Sequence, residues 1–152
     1  MDTLATEQVR QSVIGRLNRL GPDKRPDWGK MTAPQMICHL NDSYLTAFGE
    51  KYVSPATGPL PRMFMKWFAL NIPMPWPRGV RTRPEVEQGV GGTCPADFQA
   101  DRAMLIRTIE RFCVPDAEVG KHPHPIFGRM SLPEWMRWGF LHADHHLRQF
   151  GL

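Results

Sequence analysis

The chain has no apolar run long enough to cross a bilayer. Its longest mostly apolar stretch, residues 63–76, is broken by Lys66, Asn71, Pro73 and Pro75, whereas a spanning helix needs about 20 apolar residues. No membrane partner is expected. Residues 1–20 carry Asp2, Glu7, Arg10 and Arg16 without an uninterrupted apolar core, so they are not expected to act as a signal peptide. Cysteine is scarce. Cys38, Cys94 and Cys113 are odd in number and show no close pairing pattern, which argues against a disulfide framework and points to a reducing cytoplasm. Strand signals are weak throughout. There is no internal repeat and no low-complexity segment. Excess charge is also small. The formal net charge is +4, and most arginines scatter over helical segments. Arg78, Arg81 and Arg83 form a small basic loop cluster that could meet an anionic substrate or nucleic acid. A solvated loop is the plainer reading, and no nucleic-acid partner is expected.

What is present is enough for one domain. The 152 residues are 41% hydrophobic and 22% charged, as in a globular chain with a sizeable core, and a single domain over 1–152 is expected. Four segments carry helical periodicity. The first runs over about 6–20, with Val9, Val13, Leu17 and Leu20 on one stripe, and Gly21-Pro22 stops it. The second opens with Thr32-Ala33-Pro34-Gln35, a capping box with proline in the first turn. Ala33, Met36, Ile37, Leu40, Tyr44, Ala47 and Phe48 share its face, and Gly49 is its expected stop. The third spans about 95–113, with Phe98, Leu105, Ile109 and Phe112 as its stripe and Pro115 as its end. The fourth opens with a second capping box, Ser131-Leu132-Pro133-Glu134. Leu132, Met136, Gly139, Phe140, Ala143, Leu147 and Phe150 mark its buried face. A proline- and glycine-rich insert, 51–93, separates the second and third segments, with a short helix expected near 62–70. Four amphipathic helices need partners for their stripes. The expected fold is therefore all-α, a four-helix bundle with a long insert.

The most informative feature is near the end of the chain, in Leu141-His142-Ala143-Asp144-His145-His146. His142 and His146 stand one helical turn apart and can point at one metal ion. A helix turns about 100° per residue. That puts His146 at the edge of the buried face and His142 on the same flank, while His145 points away and reads as a surface residue. A catalytic metal usually takes a third protein ligand. His39, at the edge of the second segment's apolar stripe, is the candidate. Three neutral imidazoles leave one coordination position open, as catalytic zinc sites do. They accept zinc, nickel, iron or cobalt. A divalent metal, zinc or nickel first, is the expected cofactor. Each histidine taken alone reads as a structural residue.

Several other residues carry weaker signals. Gln149, nearly one turn beyond His146, is placed to support a ligand or substrate. His124, in the stiff run His122-Pro123-His124-Pro125, is a pocket or lid candidate, with a plain turn as the simpler reading. Trp67 and Trp76 in the insert could line a pocket mouth or a homodimer interface. Cys38 and Cys113 read as buried hydrophobes. Cys94 lies near a helix N-terminus but is also taken as inert. Asp42 and Asp144 are general-base candidates only by closeness in sequence.

The motifs together resemble a known family. Trp28-Gly29-Lys30-Met31-Thr32-Ala33-Pro34-Gln35-Met36-Ile37-Cys38-His39-Leu40 is similar to the second-helix signature of the DinB/YfiT-like superfamily. His142-x-x-x-His146-x-x-Gln149 is similar to its last-helix signature, and His124-Pro125-Ile126-Phe127-Gly128 with Ser131-Leu132-Pro133-Glu134-Trp135 resembles a subgroup without assigned function. The resemblance implies an up-down-down-up bundle with a divalent metal on His39, His142 and His146. It also implies a thiol S-transferase or isomerase acting on a small molecule with a low-molecular-weight thiol. The insert departs from the simplest members. A metal-dependent hydrolase is a further enzymatic reading, although no carboxylate stands out as its general base. The alternative to an enzyme is a non-catalytic domain that binds a metal or small ligand or pairs with a partner.

Overall fold

The computed structural model describes residues 1–56, 62–72, 74–80, 82–114 and 118–152. Pro73 and Arg81 of the insert, and Pro115, the expected end of the third helical segment, lie outside the described residues. Among the described residues five α-helices form: α1 (Glu7–Arg19), α2 (Ala33–Ala47), α3 (Arg62–Asn71), α4 (Phe98–Phe112) and α5 (Leu132–Gln149), with a short 3-10 turn at Pro84–Val86. No β-strand occurs among the described residues; the only ladder-like contact there is an isolated bridge between His124 and Gly128.

The helix starts follow local chemistry. Thr32 accepts from the Gln35 backbone N–H and Gln35 returns a bond to the Thr32 N–H, closing the capping box of α2. Ser131 and Glu134 do the same for α5. Each reciprocal pair satisfies two of the backbone donors that a helix start leaves free. Helix α4 begins later than its periodicity suggests. The Asp97 side chain accepts from Ala100 N–H at 2.8 Å, so the cap falls at Asp97 and Pro95 lies ahead of the helix. Gly49 follows α2 with φ 73°, a left-handed stop.

Helix α2 is the centre of the packing. It lies chiefly against α4 and also meets α5 and the 3-10 turn, while α1 packs on α5 and α4. Its whole circumference is therefore covered, and polar His39, Asn41, Asp42, Ser43 and Thr46 are buried with its apolar stripe. The core joins Leu17, Met36, Leu40, Tyr44, Leu105, Ile109, Phe112, Trp135 and Leu147. Leu4, ahead of α1, is fully buried in it. Gly139 lets α5 approach closely: a Cβ there would lie 2.9 Å from Leu4 and 3.2 Å from both Phe112 and Tyr44. Leu132 departs from the expected buried face and is 49% exposed. It occupies the first position of α5, before the turn where Trp135 and Met136 enter the core.

The connection from α2 to α4 is tied at both ends to one carboxylate. Asp42, 1% exposed, accepts from Thr93 N–H at 2.8 Å and from the Thr93 hydroxyl at 2.7 Å. Lys51 Nζ lies 3.4 Å from the same group. The chain thus leaves α2 and returns to α4 at a common point. Between these ends, Leu70 and Val86 are buried, and Trp76 packs against the core. The other side of α3 faces outward, with Met63, Phe64 and Trp67 exposed.

His124 holds the turn before α5. It is buried, its Nδ1 accepts from the Ile126 and Phe127 N–H groups at 3.1 Å each, and its ring stacks on Phe127. Burial pushes its pKa from 6.5 down to about 3. The unfolded chain therefore binds this proton more readily than the folded one, and stability falls as pH drops from about 6.5 toward about 3. The urea midpoint of metal-free protein should decline across that window. His124→Asn, whose amide oxygen can accept the same two bonds, should show a smaller decline. Identical declines in both proteins would refute this role of His124.

Candidate metal centre

Two helices bring three histidines together. His39 comes from the middle of α2, and His142 and His146 from successive turns of α5. One ligand nitrogen from each lies within 4.8 Å of the others, a spacing that could hold a metal ion. Ring centroids are 5.3 Å apart for His39–His142, 4.8 Å for His39–His146 and 4.9 Å for His142–His146. No cysteine or carboxylate joins this group among the described residues.

Outer hydrogen bonds decide which nitrogens face inward. His39 Nδ1 lies 2.9 Å from the Val86 carbonyl, which can only accept, so Nδ1 carries the proton and Nε2 the lone pair. Gln149 Nε2 donates to the Trp28 carbonyl at 2.8 Å, which turns its Oε1 toward His146 Nδ1 at 3.0 Å. That nitrogen must donate, and His146 Nε2 is left bare. Such outer acceptors orient metal-binding imidazoles and raise their basicity. Gly29 permits the arrangement. Its φ is 83°, and a Cβ there would lie 2.4 Å from Gln149 Nε2.

His142 is held differently. Its Nδ1 is buried without a hydrogen-bond partner among the described residues. Its ring is kept in place by Trp138 at 5.1 Å and Trp76 at 6.0 Å. His142 Nε2 lies 3.1 Å from His146 Nε2. Two facing lone pairs repel at that distance, so either a proton on His142 Nε2 or a cation must lie between them. The donor set fits a divalent ion of borderline softness, which prefers neutral imidazole. Burial, the first cause in each case, lowers the pKa of His39 and holds those of His142 and His146 well below 6.5. Mutual repulsion among the imidazoles adds to this for His142 and His146. All three are neutral at neutral pH, the form that binds metal.

The remaining sequence candidates fall in different places. Gln149, 2% exposed, braces His146 as described. Trp76 covers His142, with its indole N–H donating to the Ala69 carbonyl at 3.0 Å. Trp67 is 56% exposed on α3. His124 is separated from His142 by Trp138, against which both rings pack. His145, expected on the surface, is instead half-buried: it packs edge-on against Trp28 at 4.8 Å because the loop before α2 folds over this flank of α5. It stays outside the group of three. Neither sequence-adjacent carboxylate reads as a base. Asp42 is engaged by Thr93 and Lys51, and Asp144 pairs with Arg16 at 2.7 Å and Arg148 at 3.7 Å. Cys38 neighbours His39 in sequence, but its thiol meets Asp101, and burial followed by the charges of Asp101 and Asp42 pushes its pKa up to about 12. Sequence reasoning missed the Val86 and Trp28 carbonyls. A backbone acceptor leaves no mark in residue identity.

The family model described as "Protein of unknown function (DUF1569)" matches residues 14–151, nearly the whole chain. No curated protein and no solved structure matches it.

The geometry separates ligands from neighbours by metal content. Untagged protein should bind about one equivalent of zinc or nickel, and His39→Ala and His146→Ala should each lose most of it. His145→Ala should retain it. Gln149→Leu, which removes the acceptor behind His146, should weaken affinity by roughly 10–100-fold. Equal loss in the His145 and His146 variants, measured by elemental analysis, would refute the ligand assignment.

Proposed function

The chain belongs to the DUF1569 family, and for it we propose a divalent-metal-dependent enzyme of the thiol S-transferase or isomerase type. The observation that carries this reading is the convergence of three neutral imidazoles from α2 and α5, two with their inward nitrogens set by outer acceptors. A fold of the DinB/YfiT type, a four-helix bundle with the 51–93 connection as an insert, belongs to the same reading. The helix order and the placement of the histidines on α2 and α5 support it.

His39, His142 and His146 would hold the ion. Three protein ligands leave room for a substrate atom, as in catalytic rather than structural sites. The bound ion would supply Lewis acidity, lowering the pKa of a coordinated thiol or water toward neutrality. The side chains around it favour the thiol. Water attack normally calls for a general base within hydrogen-bond reach, whereas Asp42 and Asp144 are committed to other partners. A thiol, once ionised, is already a strong nucleophile and needs no such base. Trp76 and Trp138 line the His142 side with apolar surface, which excludes water. The outward apolar face of α3 supports a homodimer contact within this reading, which light scattering of Trp67→Ala against wild type tests.

Cobalt(II)-loaded protein offers a direct test. Adding a low-molecular-weight thiol should produce a near-ultraviolet sulfur-to-cobalt absorption band, and the loaded protein should consume a thiol in the presence of a suitable electrophile. Tight metal binding with neither effect, across a panel of thiols and electrophiles, would favour the non-catalytic reading instead.

A further inference from the structure

Beside the three histidines lies a second group of side chains, none of them a member of the ligand group. Trp76 sits 6.0 Å from the His142 ring and 6.2 Å from that of His145. Trp28 meets His145 edge-on, and the Arg78 guanidinium carbon stands 5.1 Å above the Trp28 ring. These residues come from three separate parts of the chain: the loop before α2, the connection after α3, and α5. The fold therefore builds the rim, and no single motif contains it.

Its parts are held in place. Trp76 is anchored by its bond to the Ala69 carbonyl, and the Trp28 carbonyl accepts from Gln149, the residue that braces His146. Arg78 is exposed and has no carboxylate partner among the described residues, and the His145 ring makes no hydrogen bond there. The result is a positive charge laid on one indole face, with a second indole packed near His142 and His145. A guanidinium of this kind recognises a carboxylate through paired N–H donors. The indole faces accept an apolar linker.

We infer that Trp28, Trp76, His145 and Arg78 form a subsite for the anionic end of the substrate. The ligand class is a small carboxylate-bearing thiol, its sulfur directed to the three histidines, its linker along Trp76 and Trp28, and its carboxylate at Arg78. The inference rests on the metal-centre reading and adds to it a determinant of specificity.

Two thiols with the same six-carbon chain test it: mercaptohexanoic acid and mercaptohexanol, which end in a carboxylate and in a neutral hydroxyl. Each is titrated into cobalt(II)-loaded protein and followed by the sulfur-to-cobalt band. The acid should bind roughly three- to tenfold more tightly than the alcohol, and the preference should shrink with added salt. Arg78→Gln should bring the acid to the affinity of the alcohol without moving the affinity of the alcohol itself. Equal affinities in wild type, or an intact preference in Arg78→Gln, would overturn the subsite while the band still upheld the metal reading. A protein that binds cobalt but gives no band with either thiol would overturn the thiol class. Failure to bind cobalt at all would overturn the metal reading and this inference with it.

Discussion

Each of two buried imidazoles has an acceptor behind it, and the rest of the site depends on that pairing. Burial keeps the rings neutral, and a neutral imidazole has one donor and one acceptor nitrogen. Which nitrogen faces the centre is then set by what stands at the other side. The Val86 carbonyl sets it for His39, and the Trp28 carbonyl sets it for His146 through Gln149. Without these acceptors nothing would keep the Nε2 lone pairs of His39 and His146 turned toward the centre.

That pairing explains the course of the chain around the centre. Val86 belongs to the short 3-10 turn late in the 51–93 connection, and the turn can reach His39 only if the connection returns over α2. Asp42, one turn after His39, binds Thr93 and Lys51 and so anchors both ends of the connection. The loop before α2 plays the corresponding part for α5. Trp28 and Gly29 lie over Gln149, and the left-handed conformation at Gly29 brings the backbone near enough for the bond. Backbone carbonyls outside the long helices thus stand behind His39 directly and behind His146 by way of Gln149 of α5, while the helices supply the ligands. Helices suit the inner role because their side-chain spacing is fixed. Loops suit the outer one because their carbonyls are free to accept.

The site also shows how hydrophobic packing and metal chemistry share residues. Trp138 is a core residue, yet one face touches His142 and another touches His124. His142 lacks an outer acceptor among the described residues and takes its position from Trp138 and Trp76. Its orientation is therefore set by packing against the two indoles together with the Nε2 contact to His146.

Much of this was legible in the sequence. Thr32–Gln35 and Ser131–Glu134 mark two helix starts because capping chemistry is local. The i, i+4 spacing of His142 and His146 puts them on one flank because an α-helix has a fixed pitch. The stripe on α2 places His39 toward the interior for the same reason. Other features were decided only by tertiary structure. The exposure of Leu132 and the half-burial of His145 depend on which neighbours cover α5, and residue spacing does not encode that. Trp76 and Trp67 look alike as apolar residues of one segment, yet one lies against His142 and the other in solvent. The tautomers of His39 and His146 depend on backbone carbonyls of Val86 and Trp28. Every residue carries such a carbonyl, so local spacing determined the ligands, and only the path of the folded chain determined how they are aimed.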